Sequence, residues 1–462
     1  MVSFLAGLRR RFLRRPKRAA RRIHARGFRT DGLSDVSARL AKPIPPIAPT
    51  DPPGPTMVLL NDCQDQDNFG AHALMDGLYR ILMHAAPNAS VRPIPSHWLL
   101  DTSNGLGAFT NGGEGMRQLP AAYPAVADQF EVVAEDWLQG RGGPGADELL
   151  SRLRGADLVV LNGEGSVYRT NLSAIRELFL AWLCKCHLGI PTIFVNATVH
   201  LTDVMPVLPA MVRKALPLLD AVAVREPLSF RNLGYYAPTV TVQLIPDSAF
   251  ALTSADARET PMSDIIRTRI GDSPYFCFDP GPMPIDHRQG RRSALYCLIS
   301  ALKDVTAHAV FVRSDPADRY VEGIAKETNS LYFDGAVDYR EWMTVVRDAQ
   351  FLLTGRYHNP ILAAIMGCPT ITLGSSSHKV HGGCEMLEVI GTPYDGTDLV
   401  SQMSSITGHA RHYVRHRDDL RDRLQGVCER RRAETMELSS MITDVLRSSG
   451  VRDDLGARLT VR

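Results

Sequence analysis

The sequence predicts an α/β fold in which two Rossmann-like units face a cleft, with a basic arm before them and a helical extension after them. Three observations carry that expectation. Short apolar runs alternate with longer stretches of helical period, the rhythm of a parallel sheet covered on both faces. The alternation runs through once and then begins again near residue 256. At 462 residues the chain is also long enough for two or three compact units.

The elements justify themselves in order. Residues 1–55 read as a basic amphipathic arm and a proline-rich linker. Residues 1–30 hold 11 Lys and Arg and no acid, so the rest of the chain carries 41 basic against 50 acidic residues, a net −9. That mildly acidic body argues against nucleic acid as a partner. Within the arm, Phe4, Leu8 and Phe12 recur every four residues with Leu5 beside them. A helix there would set an apolar stripe opposite arginines, so residues 1–29 suit peripheral association with an anionic membrane. A solvated basic tail and a transit peptide are the competing readings. Residues 43–55 (PIPPIAPTDPPGP) admit neither helix nor central strand.

The first unit, residues 56–255, offers strand cores at 57–60 (MVLL), 158–161 (LVVL), 192–195 (TIFV), 221–224 (AVAV) and 240–245 (VTVQLI). The second, residues 256–400, offers 275–278 (YFCF), 309–312 (AVFV), 351–354 (FLLT) and 370–373 (TITL). Residues 401–462 are polar and helical, read as a solvated helix packing across the base of the two units, plus a tail. No apolar stretch approaches the roughly 18 residues that span a bilayer. The eight cysteines form no CxxC or zinc-type spacing and read as reduced thiols, which points to the cytoplasm. The amino-terminus lacks the apolar core of a secretory signal. No metal and no cofactor is expected.

In open parallel sheets, chemistry gathers outside the carboxyl ends of strands, so the segment after each strand was read for reactive side chains. After FLLT comes Gly355-Arg356-Tyr357-His358-Asn359-Pro360. Asn359 suits a helix N-cap and Pro360 the first helical position. Arg356 and His358 would then bring a bidentate anion fork and a mobile proton to a helix N-terminus. After AVAV come Arg225 and Glu226, followed by Pro227 at another expected helix start. Two arginines at equivalent strand ends would face each other across the cleft and suit a ligand with two anionic groups. After LVVL the loop Asn162-Gly163-Glu164-Gly165-Ser166 permits close backbone approach and offers contacts to hydroxyls or phosphate. It is neither GxGxxG nor a P-loop. The carboxylates and amides of the loop from Asn61 to Gly70, Asn68 among them, suit a sugar-hydroxyl site or, less readily, a metal. After TITL, the run Ser375–His378 leads to Lys379, which could steer an anion.

The succession LNGEGSVY, AVREPLSFRNLG, VQLIPDSAFAL and GRYHNPILAAIMGCPTITLGSSSHKVHG resembles the polysaccharide pyruvyl transferase family over roughly residues 57–395. The family's glycine-rich GGG loop is here NGEG, and the arm lies outside the match. The resemblance implies a two-domain fold similar to GT-B glycosyltransferases, with the acceptor on the first domain and the donor on the second. It implies transfer of a pyruvyl group from phosphoenolpyruvate to hydroxyls of a sugar or lipid-linked oligosaccharide, leaving a ketal. By resemblance Arg225 binds the donor, and Arg356 and His358 are the arginine and catalytic histidine of the RxH element. His358 would serve as general acid, with the arginines holding carboxylate and phosphate and Glu226 orienting Arg225. Two rival readings stand beside this one: a GT-B enzyme using a nucleotide sugar, and a non-catalytic sugar-phosphate binding protein at the membrane surface.

Overall fold

Each short apolar run becomes a strand of a parallel sheet in the computed structural model, which describes residues 54–99, 121–168, 172–279, 281, 289–315, 320–334, 338–374, 377–388 and 391–450. The basic arm, most of the linker, the loop residues Ser375 and Ser376 and the tail beyond residue 450 lie outside the described residues. All described elements belong to one contact unit, residues 47–462.

The first lobe opens with β1 (Thr56–Asp62), α1 (Phe69–Ala85) and β2 (Ser90–Pro95). It continues through α2 (Phe130–Leu138), α3 (Pro144–Leu153), β3 (Leu158–Asn162) and α4 (Leu172–Cys186). It closes with β4 (Thr192–Ala197), α5 (Val207–Ala215), β5 (Ala221–Val224), α6 (Pro227–Tyr236) and β6 (Val242–Leu244). The strands pair in the order β2-β1-β3-β4-β5-β6, all parallel, with Met57 opposite Leu158 and Val159 opposite Thr192.

The second lobe follows as α7 (Pro261–Ile270), β7 (Tyr275–Asp279), α8 (Gln289–Thr306), β8 (His308–Val312), α9 (Val321–Glu327) and β9 (Leu331–Phe333). Then come α10 (Tyr339–Asp348), β10 (Leu352–Thr354), α11 (His358–Ile365), β11 (Thr370–Thr372) and α12 (Lys379–Leu387). Their order is β11-β10-β7-β8-β9, again all parallel. Chain order reverses between β1 and β3 in one sheet and between β7 and β10 in the other, and such switch points open a crevice at the carboxyl ends of the strands. Both β2 and β9 are additions to the expected strands. They are edge strands: β2 carries two prolines and β9 has three half-buried residues, so neither shows a buried apolar run.

The lobes meet along α1. The Phe69 ring lies 5.3 Å from that of Trp342 of α10, tilted by 33°, and joins Phe250 and Ile361 in one apolar cluster. Asp76 accepts from Tyr339 Oη at 2.6 Å. A Cβ at Gly77 would lie 1.9 Å from the carbonyl oxygen of Ser248, so glycine lets α1 lie directly on the turn after β6. The carboxyl-terminal α13 (Leu399–Arg415) and α14 (Arg417–Ser448) follow. α14 packs against both lobes, as expected, but it is more deeply buried along one side than a solvated helix. Leu424 and Cys428 join the core of the second lobe, while Leu438, Ile442 and Leu446 join that of the first. Spaced four apart within each lobe's set, they lie along one buried stripe of an otherwise polar helix.

Candidate functional site

Arg225 leaves β5 wholly buried, and its environment fixes it. Nε donates to Thr198 Oγ1 and Nη1 to Asp247 Oδ2, both at 2.9 Å. The guanidinium lies 4.1 Å over the ring of Tyr357, a cation–π contact from the second lobe. Its other terminal nitrogen, Nη2, has no hydrogen-bond partner among the described residues, and Glu164 Oε1 lies 3.8 Å away. A buried guanidinium donor left unpaired in this way is a ready anion contact.

His358 opens α11 and brings the second lobe to that arginine. Its Nε2 is 3.4 Å from Arg225 Nη1 and 3.6 Å from Asp247 Oδ2. Guanidinium nitrogens only donate, so a neutral ring can face Arg225 with its Nε2 lone pair, whereas a protonated Nε2 must turn to Asp247. Burial opposes ionisation of Asp247, but His358 and Arg225 outweigh it and hold its carboxyl down at about 2. The histidine therefore has a permanent anion against which to carry a proton. On its other side a Cβ at Gly70 would lie 2.8 Å from Nδ1, so only glycine lets the start of α1 approach the ring.

Arg356 sits two residues earlier, at the switch point of the second sheet. Its Nη1 is 3.1 Å from Asp315 Oδ2, and its Nε is 3.7 Å from Asp279 Oδ1. Desolvation raises the pKa of Asp279 despite Arg356 nearby. Asn68 caps α1 through Oδ1, which accepts from Gly70 N at 2.9 Å, while its amide donates to Asp315 Oδ2 at 3.1 Å. One asparagine thus links the first lobe to the carboxylate beside Arg356. Lys379, first residue of α12, makes no hydrogen bond or ion pair among the described residues. A Cβ at Gly165 would lie 3.5 Å from Arg225 Nη2 and 3.6 Å from Lys379 Nζ, so the bare glycine leaves open a point flanked by two cations. Burial pushes the Lys379 pKa down against the pull of Glu164, and both arginines push the same way. Burial works against the Glu164 charge too, but Arg225 and Lys379 prevail and lower its pKa.

Three cations and an imidazole converge at the carboxyl ends of two parallel sheets. A profile of the family described as polysaccharide pyruvyl transferase matches residues 68–377, a span that holds Arg225, Arg356 and His358. The chain belongs to the polysaccharide pyruvyl transferase family. It is therefore an enzyme of the transferase class, as the motifs implied. No curated protein matches the chain in sequence. Solved structures agree on the architecture. The trehalose-6-phosphate synthase OtsA aligns with a TM-score of 0.51 at 12% identity, over 85% of this chain and 98% of that one. An E. coli trehalose-6-phosphate structure bound with UDP-2-fluoro glucose aligns with a TM-score of 0.52 at 11% identity, over 85% and 99%. At such identities the likeness is one of fold, and it places this pyruvyl transferase family member among GT-B-like proteins.

Several residues expected at the site serve it from behind. Glu226 is buried and caps α6, accepting from Ser229 N at 3.0 and 3.1 Å, so the orienting of Arg225 falls to Asp247 and Thr198 instead. Asn162 is buried with its amide on Asn61 O at 3.0 Å, tying β3 to β1 beneath the loop rather than reaching into the cleft. At Gly163 a Cβ would lie 2.5 Å from the Phe194 ring, so that glycine serves packing against β4. Ser166 Oγ donates to Gly163 O at 2.8 Å and contacts Glu177. Of this loop, Glu164 and Gly165 face the cations. Two of the three carboxylates of the Asn61–Gly70 loop are engaged within the fold, Asp62 with Tyr79 and Asp65 with His97. Asn359 is not the expected N-cap, because its amide donates to Asp279 Oδ2 at 2.6 Å, and α11 starts at His358 over an uncapped Tyr357. The sequence reading passed over Asp247, Asp279 and Asp315. Asp279 ends β7, and Asp247 and Asp315 follow β6 and β8, so the strand-end rule that found Arg225 also marks them.

Proposed function

We propose that the enzyme transfers the pyruvyl group of phosphoenolpyruvate to two hydroxyls of one sugar, in a polysaccharide or lipid-linked oligosaccharide, forming a ketal and releasing phosphate. One observation supports this best: a histidine braced by a buried carboxylate lies among Arg225, Arg356 and Lys379. A small ligand with a carboxylate and a phosphate calls for cations of that number and spread. In the reaction His358 gives a proton to the methylene carbon, and positive charge builds at the central carbon. A sugar hydroxyl attacks there and loses its proton. The bond from that carbon to the phosphate oxygen then breaks, and a second hydroxyl closes the ketal. Of the two hydroxyl protons, one is in the end on the new methyl group and the other on phosphate. Asp247 steadies the imidazolium before transfer, and the arginines offset charge on the departing phosphate.

The test is phosphate release from phosphoenolpyruvate with candidate glycan acceptors. His358→Ala and Arg225→Lys should each lower turnover by about 100-fold or more, the usual scale of a lost general acid or charge clamp. Near-wild-type turnover in His358→Ala overturns the mechanism, and tight binding of a nucleotide sugar without phosphate release overturns the donor. We also place the enzyme in the cytoplasm, at the inner face of an anionic membrane through residues 1–29. The absence of disulfides among eight free cysteines supports the compartment, and the acid-free basic composition of the arm supports the surface.

A further inference from the structure

We infer that Glu226 and His378 form a dock between the lobes that presents Lys379 to the site, making both positioning residues. The inference rests on the donor reading above for its kinetic consequence alone. Glu226 directly follows Arg225, and His378 directly precedes Lys379. Each member of the dock is therefore one residue from a cation that flanks Gly165.

The geometry is closely built. Glu226 is wholly buried, and its Oε1 receives His378 Nε2 at 3.2 Å across the lobe boundary. Ser229 Oγ lies 3.2 Å from the same ring nitrogen and itself accepts from Val199 N at 2.7 Å, so the pocket for the imidazole is anchored to the end of β4. His200 covers the ring at 4.5 Å between centroids. Burial and the neighbouring His378 lower the His200 pKa, against the pull of Glu226. On the far side of the carboxylate, a Cβ at Gly382 would lie 2.2 Å from Glu226 Oε2. The first turn of α12 therefore rests directly on the Glu226 side chain, and glycine at 382 is what permits it. Arg231 and Glu385, at 3.0 Å, add an exposed pair between α6 and α12 that contributes little on its own.

A buried carboxylate that caps α6 and also accepts from His378 has no cheap alternative partner, so α12 is held at one distance from Arg225. Lys379, which makes no hydrogen bond or ion pair among the described residues, takes its position from that backbone.

The experiment uses the full chain and two readouts: steady-state kinetics with phosphoenolpyruvate, and amide exchange across residues 379–387. His378→Ala should raise KM for phosphoenolpyruvate by about ten- to a hundredfold, the scale of one displaced charge-assisted contact, with a much smaller change in kcat. Exchange in α12 should quicken in parallel. His378→Gln should restore much of both, since its amide can still donate to Glu226, and Gly382→Ala should mimic the loss. Unchanged exchange in His378→Ala overturns the dock, and faster exchange with unchanged KM overturns the presentation of Lys379. If the wild-type protein shows no turnover of phosphoenolpyruvate, the donor reading fails, while amide exchange still decides the dock.

Discussion

Glu177, wholly buried on α4 behind the Glu164–Gly165 loop, is a carboxyl whose surroundings disfavour its anion. Desolvation pushes its pKa well above the ordinary carboxylate value, against the hydrogen bond from Ser166 and with the charge of Glu164 adding to the rise. A raised folded-state pKa gives stability that is whole below the unfolded pKa and drains away as pH climbs toward the folded one. Glu177→Gln should therefore match the wild type near pH 4 and exceed it increasingly through neutrality, by up to about 1.4 kcal/mol per pH unit. Denaturant unfolding at several pH values measures this; parallel pH profiles would rule out a neutral Glu177. This residue escaped the sequence reading because it lies mid-helix, in a stretch that otherwise reads as core. Arg225, Arg356, His358 and Lys379 were legible because each stands just after a strand. Glu226 and Asn162 stand there too, yet they face inward, because strand ends supply both the site and its supports.

At the scale of elements, every strand with a buried apolar run was legible, and β2 and β9, two of the four edge strands, were not. An edge strand pairs on one side, so its sequence owes little to burial, and β2 even accommodates Pro93 and Pro95. The same logic hid the role of α14. Averaged over 32 residues it is polar, and only the positions of Leu424, Cys428, Leu438, Ile442 and Leu446 betray a stripe. Ile442→Ala should cost about 2–5 kcal/mol, the usual range for emptying a fully buried site. Arg432→Ala, on the exposed face, should stay within about 0.5 kcal/mol. Chemical denaturation compares the two, and equal small effects would mean that α14 merely rests on the surface.

For the whole molecule, charge is distributed unevenly: an arm with 11 basic residues and no acid precedes a body of net −9. At an anionic surface each basic residue contributes on the order of 1 kcal/mol, and salt screens the attraction. The full chain should sediment with vesicles containing anionic lipid at low ionic strength and be released by salt, whereas a chain lacking residues 1–30 should remain in the supernatant. Equal sedimentation of both would assign any membrane affinity to the body. No helix among the described residues is long and apolar enough to cross a membrane, so the arm is the segment to test. Synthesis imposes an order of its own. Leu438, Ile442 and Leu446 complete the packing beneath β1, so ribosomes must translate past residue 446 before the lobe that β1 opens can close its interior. Until then that half waits incomplete, and a premature stop codon near position 430 would injure the first lobe as much as the second.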